Sequence, residues 1–220
     1  ALRLSPAMGL VNHLVVMVKA PRLGAVKSRL AREIGALAAR RFYRASSAAV
    51  LARLGHDPRW RCWLAVTPDR FAAASAFWPR RLPRLPQGPG DLGQRMARPL
   101  KILPPGPVVI VGSDIPGLGA GHVARAFAAL GRHDLVFGPA EDGGYWLVGA
   151  RRRPPPPAEL FRAVRWSSAH ALEDTLANLG PRFSVAFVER LSDVDNAADY
   201  ARWRRVGAGQ AGLGRSPGGR

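Results

Sequence analysis

The chain has 220 residues, and 47% hydrophobic against 22% charged residues is a globular balance that excludes global disorder. A chain of this length fits one large domain or two small ones and buries roughly 70% of its unfolded surface on folding, so it needs neither a disulfide nor a structural metal. Thirty-three basic against fifteen acidic residues give a net charge of +18, which fits either a coding bias towards Arg, Ala, Gly and Pro or attraction to polyanions; the basic residues are scattered through RWRCW, WPRRLPR, ARRRPPPP and ARWRR rather than gathered in one block, which speaks against a dedicated nucleic-acid surface.

Strand and helix patterns alternate along the sequence. His13–Lys19 (HLVVMVK) is an apolar, β-branched run ending at Pro21 and Gly24, which predicts a buried strand and a loop. Lys27 to Leu54 has helical spacing, with Leu30, Ile34, Leu37, Phe42, Val50 and Leu54 on one face. Arg61–Thr67 predicts a second strand and Phe71–Phe77 a short helix; a proline-punctuated stretch follows to Gln87. Asp91–Ile102 is helical, and Pro107–Asp114 (PVVIVGSD) carries the clearest strand pattern in the chain. A helix over Val123–Leu130 and strands over Asp134–Pro139 and Gly144–Ala150 come next. Pro154–Pro157 forms a rigid connection. A helix (Ala169–Leu179), a strand (Ser184–Leu191) and a helix (Asn196–Val206) complete the pattern. Near-continuous apolar strands separated by helices predict an α/β fold, a three-layer αβα sandwich around a mostly parallel sheet. A single domain over residues 9–206 is expected, with a disordered Gly-rich tail from 207 to 220 and loose residues before Met8.

In such a sheet, ligands bind beyond the carboxyl ends of the strands. After the first strand, KAPRLGAVKSRL places Lys19, Lys27 and Arg29 around a turn shaped by Pro21 and Gly24. This suits phosphate, although a set of solvated first-turn cations would look the same and the P-loop spacing is missing. QGPGDLGQRM offers Gly90, Asp91 and Arg95 in a loop whose backbone can approach a ligand, or a turn with Asp91 capping the next helix. Asp114 ends the strongest strand, where a carboxylate points into the crevice and suits Mg²⁺ or Mn²⁺; Pro116 discourages an immediate helix cap. Glu141 and Asp142 precede a double glycine that a hairpin turn explains fully, but adjacent acids are conspicuous in so basic a chain. Asp193 and Asp195, two apart in an extended segment, point the same way about 7 Å apart and repel unless a cation or a cap holds them; Asp195 is also placed to cap the final helix.

Six of the fifteen acids (Asp91, Asp114, Glu141, Asp142, Asp193, Asp195) therefore lie in loops after predicted strands. Carboxylates gathered at one sheet edge beside a basic loop point to a metal-bridged phosphate site. No Cys/His cluster suggests zinc, and no GxSxG elbow suggests a serine hydrolase. No apolar run approaches the ~20 residues of a membrane span, the amino end lacks the pattern of a signal peptide, and the lone Cys62 reads as a buried thiol, so the expected setting is cytoplasmic.

Taken in order, KAPRLGAVKSRLA, GDLGQRM, VGSDIPGL, GPAEDGGYWLVG, RWSS and DVDNAADY resemble the bacterial glycosyltransferase-like family called radical-SAM/selenodomain-associated transferase 1, from about Val11 to Arg205. More distantly the pattern is similar to 2-phospholactate guanylyltransferase and the molybdenum-cofactor nucleotidyltransferases, all with the glycosyltransferase-A fold of the nucleotide-diphospho-sugar transferase superfamily. The resemblance implies a transferase with Mg²⁺ or Mn²⁺, a nucleotide or nucleotide-sugar donor and a small acceptor. Lys19, Lys27 and Arg29 then face the nucleotide phosphates, and Pro21 and Gly24 shape that loop. Gly90, Asp91 and Arg95 lie near base and sugar, and Asp114, Asp193 and Asp195 hold the cation. Asp142, Gly143, Gly144 and Tyr145 form the acceptor side, with Asp142 and Lys27 in catalytic roles. The pair after the closing aspartates departs from the family pattern, being Asn196-Ala197 here. Glycosyl transfer from a nucleoside-diphosphate sugar is the main expectation and nucleotidyl transfer to a phosphorylated acceptor the alternative; a polyanion binder on the same fold is a third reading.

Overall fold

The strand predicted first lies at the centre of the sheet. In a computed structural model that describes residues 10–73 and 76–212, with side chains through residue 205, β1 (His13–Lys19) is buried on both faces, as its unbroken apolar run requires. It pairs in parallel with β2 (Arg61–Thr67) through Val16↔Leu64 and with β4 (Val108–Gly112) through Val16↔Val111. β3 (Arg84–Pro86) extends the sheet beyond β2. On the other side β6 (Tyr145–Ala150) runs antiparallel to both β4 and β5 (Leu135–Pro139), and β7 (Val185–Phe187) lies parallel to β5. The order is β3-β2-β1-β4-β6-β5-β7: mostly parallel as expected, with one strand reversed by the turn after Pro139.

Helices cover both faces. On one, Leu14, Val16 and Val18 pack with Val50, Leu51 and Leu54 of α2 (Ala36–Leu54) and with Val123 and Leu130 of α5 (Ala120–Leu130). On the other, Val15, Ile110 and Phe137 pack with Met96 and Leu100 of α4 (Leu92–Ile102), and Leu172 and Leu176 of α6 (Ala171–Ala177) close over them. A third cluster joins Leu30 of α1 (Ser28–Ile34), Ala39 and Phe42 to Val194, with Tyr200 and Trp203 of α7 (Ala197–Gly212) against it. Phe42 and Trp203 meet edge to face, 4.9 Å between centroids. Among the described residues no helix is long and apolar enough to cross a membrane.

Several elements differ from the sequence reading for local reasons. The helix expected over Lys27–Leu54 is two, because Gly35 adopts φ +85° and ψ 150° between α1 and α2 while the apolar period runs on across the break. β3 was hidden among prolines; it is a three-residue edge strand with Pro86 at its end, where a missing N–H costs no ladder bond. The short helix is α3 (Arg70–Ala73), with residues 74–75 outside the described part. The last strand contracts to β7, and only an isolated bridge from Ala140 to Leu191 continues its line. α7 runs on to Gly212, into the segment expected to be disordered; residues 213–220, and the first nine with Met8, lie outside the described residues. Cys62 is buried and free, as expected.

Candidate functional site

Three chain segments far apart in sequence meet at the carboxyl edge of the sheet. The first is the loop after β1. There Lys27 holds a left-handed backbone (φ 48°, ψ 53°), which costs a residue with a Cβ about 1–2 kcal/mol. That turn sends its side chain inward, where only 7% of it is exposed. The second is the turn after β4, which carries Asp114. Tyr43 of α2 ties these two loops together: its hydroxyl accepts a hydrogen bond from the Lys19 N–H (2.7 Å) and pairs with Ser113 Oγ at 3.1 Å. Burial, with the nearby Asp114 charge, pushes the Tyr43 phenol up to about 12, so it stays a neutral strut.

The third segment follows β7. Val194 packs into the cluster of Leu30, Ala39 and Phe42. In an extended chain its neighbours point the opposite way, so Asp193 and Asp195 turn together toward the loop after β1. All three carboxylates then converge on one ammonium. Lys27 Nζ lies 2.7 Å from Asp114 Oδ2, 3.1 Å from Asp193 Oδ2 and 2.7 Å from Asp195 Oδ1. Burial works against the Lys27 charge, but the carboxylates outweigh it, Asp114 foremost, and the amine titrates well above its ordinary range. Burial pushes Asp193 the other way, up to about 6, against the pull of Lys27 and with the repulsion of Asp195 and Asp114 adding to it. Asp195 is also desolvated, yet Lys27 and Arg29 hold its carboxyl below the usual range. Arg29 supports it from the rim, Nη1 at 3.5 Å.

Asp195 therefore does not cap the last helix. That task falls to Asn196, whose Oδ1 accepts from Asp199 N at 2.9 Å, while Glu33 of α1 accepts from Ala197 N at 2.8 Å.

A cleft of about 490 Å³ opens beside this cluster, between α4, the ends of β1, β4 and β6, and the segment before α6. Its charged end holds Lys27, Arg29, Asp114, Asp142, Asp193 and Asp195; its apolar end is built from Met17, Leu92, Met96, Tyr145 and Trp166. Asp142 Oδ1 accepts from Gly144 N at 3.0 Å, which fixes the turn between β5 and β6. Tyr145 hydrogen-bonds Thr175 Oγ1 at 3.3 Å, and burial raises its phenol far above the usual range, so it offers the cleft a neutral ring.

The structure thus brings together Lys27, Arg29, Asp114, Asp142, Gly144, Tyr145, Asp193 and Asp195 from the residues singled out in the sequence. Gly143 lies behind the turn, its carbonyl accepting from Leu172 N. Lys19, Pro21, Gly24, Gly90, Asp91 and Arg95 do not line the cleft. Asp91 is the N-cap of α4, in a reciprocal pair with Gln94 (2.8 and 3.1 Å), and Arg95 Nε donates to the Gly90 carbonyl at 2.8 Å. Pro21 gives its carbonyl to Arg40 Nε. Sequence reasoning missed Met17, Leu92, Met96 and Trp166, which read as ordinary core residues, and Ser167, whose left-handed φ of 59° places it in the cleft wall where its carbonyl faces Arg29 Nη2 at 3.5 Å. The available signals were the RWSS motif, which holds Trp166 and Ser167, and the GDLGQRM motif, which holds Leu92 and Met96.

Residues 50–168 match the model of a family described as uncharacterized proteins conserved in bacteria, DUF2064. The chain belongs to this family. No curated protein of assigned function matches the sequence. Among solved structures, the chain is similar to a provisionally named nucleotide-diphospho-sugar transferase from Desulfovibrio desulfuricans G20, with 28% identity, 89% of this chain and 87% of that one covered, and a TM-score of 0.78. It also shares its fold with the 4-diphosphocytidyl-2C-methyl-D-erythritol synthase of Anaerococcus prevotii DSM 20548 (9% identity, 91% and 99% covered, TM-score 0.57). A third likeness is to the homologue of Mycobacterium tuberculosis Rv0371c from Mycobacterium sp. strain JC1 (17%, 89% and 96%, 0.54). The mostly parallel α/β sandwich of this DUF2064 protein, with seven strands among the described residues, is therefore the nucleotide-diphospho-sugar transferase fold.

Whether the site suits a divalent cation can be tested on its own atoms. Three carboxylates from two segments form a hard-oxygen set of the kind that binds Mg²⁺ or Mn²⁺. Their oxygens already converge around a cation, the Lys27 ammonium. The donor chemistry fits, but the point of convergence is taken. As they stand, among the described residues no group of three or more His, Cys, Asp or Glu is arranged to hold a metal ion.

Proposed function

We propose that this protein is a transferase that takes an activated nucleotide, a nucleoside-diphosphate sugar, as donor and a small molecule as acceptor, inside the cytoplasm. The observation that carries the reading is the meeting of Lys27 with Asp114, Asp193 and Asp195 at the carboxyl edge of a nucleotide-diphospho-sugar transferase fold. The D. desulfuricans likeness, at 28% identity over most of both chains, supports the same donor class. Asp114, Asp193 and Asp195 would hold Mg²⁺ or Mn²⁺, which when bound supplies neutralisation of phosphate charge. Lys27 and Arg29 are the cationic donors in reach of the leaving phosphates. Asp142, whose carboxylate accepts from Gly144 N at the charged end of the cleft, would orient the acceptor or take its proton. Tyr145 and Trp166 supply the apolar wall that keeps water from that side. Lys19, Pro21, Gly24, Gly90, Asp91 and Arg95, expected to touch the nucleotide, lie outside the cleft and would shape the loops around the donor instead.

Nucleotidyl transfer uses the same fold and the same charged end, and differs in releasing pyrophosphate rather than a nucleoside diphosphate. The first experiment is thermal stability against a panel of nucleotides and nucleotide sugars with Mn²⁺ or Mg²⁺, then with EDTA, at constant ionic strength. A ligand at 100 times its Kd adds about 2.7 kcal/mol, or roughly 5–10 °C for a chain of this size. A base-selective shift abolished by EDTA and by Asp114→Ala supports the reading. Equal shifts from every polyanion, indifferent to metal, overturn it and leave only the attraction of a +18 protein for phosphate.

A further inference from the structure

The carboxylate triad and Lys27 form more than an ion pair. An ammonium with three carboxylate oxygens at 2.7, 3.1 and 2.7 Å stands where those oxygens converge. A divalent cation bound by the same oxygens at about 2.0–2.2 Å would need that very position, and the two cations would collide and repel. We propose that the Lys27 ammonium and the divalent cation are alternative occupants of one site. On this view the resting protein carries its own counter-cation, and the metal enters only when a polyphosphate draws Lys27 away. This deepens the function proposed above and rests on its reading of the triad as a cation site.

Three features support exchange rather than a permanent structural pair. First, a structural pair asks for one carboxylate; here three surround one ammonium, leaving excess negative charge that a divalent ion balances better. Second, Lys27 shares the cleft wall with Arg29, so a phosphate held beside Arg29 lies within the sweep of the four-carbon lysine stem. Third, the carboxylates have other anchors and need not collapse when the ammonium leaves. Asp195 keeps Arg29 and its backbone bond to Asp199 (3.2 Å), Val194 stays in its cluster, and the turn before Asp114 stays pinned through Ser113 and Tyr43. The consequence is an order of binding: free metal binds weakly, polyphosphate strengthens it, and the two ligands are positively linked.

The experiment is Mn²⁺ binding by electron paramagnetic resonance or calorimetry, on wild type and on Lys27→Met, with and without inorganic pyrophosphate. Wild type should bind Mn²⁺ weakly alone and at least tenfold tighter with pyrophosphate. Lys27→Met should bind Mn²⁺ alone at least tenfold tighter than wild type, and its melting temperature should rise with Mn²⁺ where that of wild type hardly moves. Equal Mn²⁺ affinity in the two proteins overturns alternative occupancy while leaving the triad as a cation site. No Mn²⁺ binding by either protein under any condition overturns the cation site itself. If Lys27→Met does not fold, Lys27→Gln, which keeps a hydrogen-bonding group among the carboxylates, takes its place in the same titrations, and Mn²⁺ affinity equal to that of wild type in that variant overturns alternative occupancy.

Discussion

Gly143→Ala is the sharpest test of how the acceptor side of the cleft is built. Gly143 has φ +82°, and a Cβ added there would sit 2.1 Å from the Ala169 carbonyl oxygen and 2.6 Å from the Ala169 Cα. Both are backbone atoms that cannot swing aside, and the Gly143 carbonyl is itself bound to Leu172 N at 3.1 Å. Gly24 makes the matched control: φ +71°, but nothing within 4 Å of its virtual Cβ. A left-handed residue with a Cβ costs about 1–2 kcal/mol, which is the whole expectation for Gly24→Ala. At Gly143 overpacking adds about 1–3 kcal/mol, so the loss should be about 2–5 kcal/mol. In melting temperature that is roughly 2–8 °C against 4–20 °C for a chain of this size. Urea titrations of both variants, followed by circular dichroism with a common slope, give the comparison directly. A Gly143→Ala loss no larger than that of Gly24→Ala would show that the turn does not press on the Ala169 backbone, and the geometry assigned to Asp142 and Gly144 would fall with it.

Other outcomes follow from the packing and the charges. Leu30→Ala should cost about 2–5 kcal/mol, because Leu30 is fully buried against Ala39, Phe42 and Val194; calorimetry should also show weaker Mn²⁺-pyrophosphate binding, since Val194 holds Asp193 and Asp195 in place. Binding as tight as wild type would sever that link. Burial pushes the Cys62 thiol up to about 12, so a disulfide dye at pH 8 should react only as the protein unfolds, and prompt reaction would contradict the buried location. Asp174 takes three hydrogen bonds from Arg165, at 2.9, 2.9 and 2.7 Å, and the side-chain bonds above all hold its carboxyl down at about 2. A depressed carboxyl stabilises above its unfolded value near 4 and loses that contribution as pH falls toward 2. Asp174→Asn should therefore be less stable than wild type at pH 6 and converge with it in acid; a constant gap would refute the pairing.

The sequence by itself determined the buried centre of the sheet. Apolar, β-branched runs at His13–Lys19, Arg61–Thr67 and Pro107–Asp114 can only be buried on both faces, and burial on both faces demands helices on either side. It also singled out Asp114, Asp142, Asp193 and Asp195, which the fold gathers at one edge, because carboxylates in loops after strands are conspicuous in a chain so poor in them. Local signals gave the same-side arrangement of Asp193 and Asp195, since a period of two is fixed by the extended backbone. What neighbouring residues could not encode was distance across the chain. Only the tertiary structure decided that Lys27 crosses 166 and 168 residues to meet Asp193 and Asp195, and that Asp91, equally eligible by sequence, spends its carboxylate on a helix cap. The same holds for Met17, Leu92, Met96 and Trp166, whose apolar character marks them for the core while only the gap beside α4 turns them into a cleft wall. Side-chain chemistry and local period are written residue by residue; which cation fills a ring of carboxylates depends on which loops the folded sheet brings to the same edge.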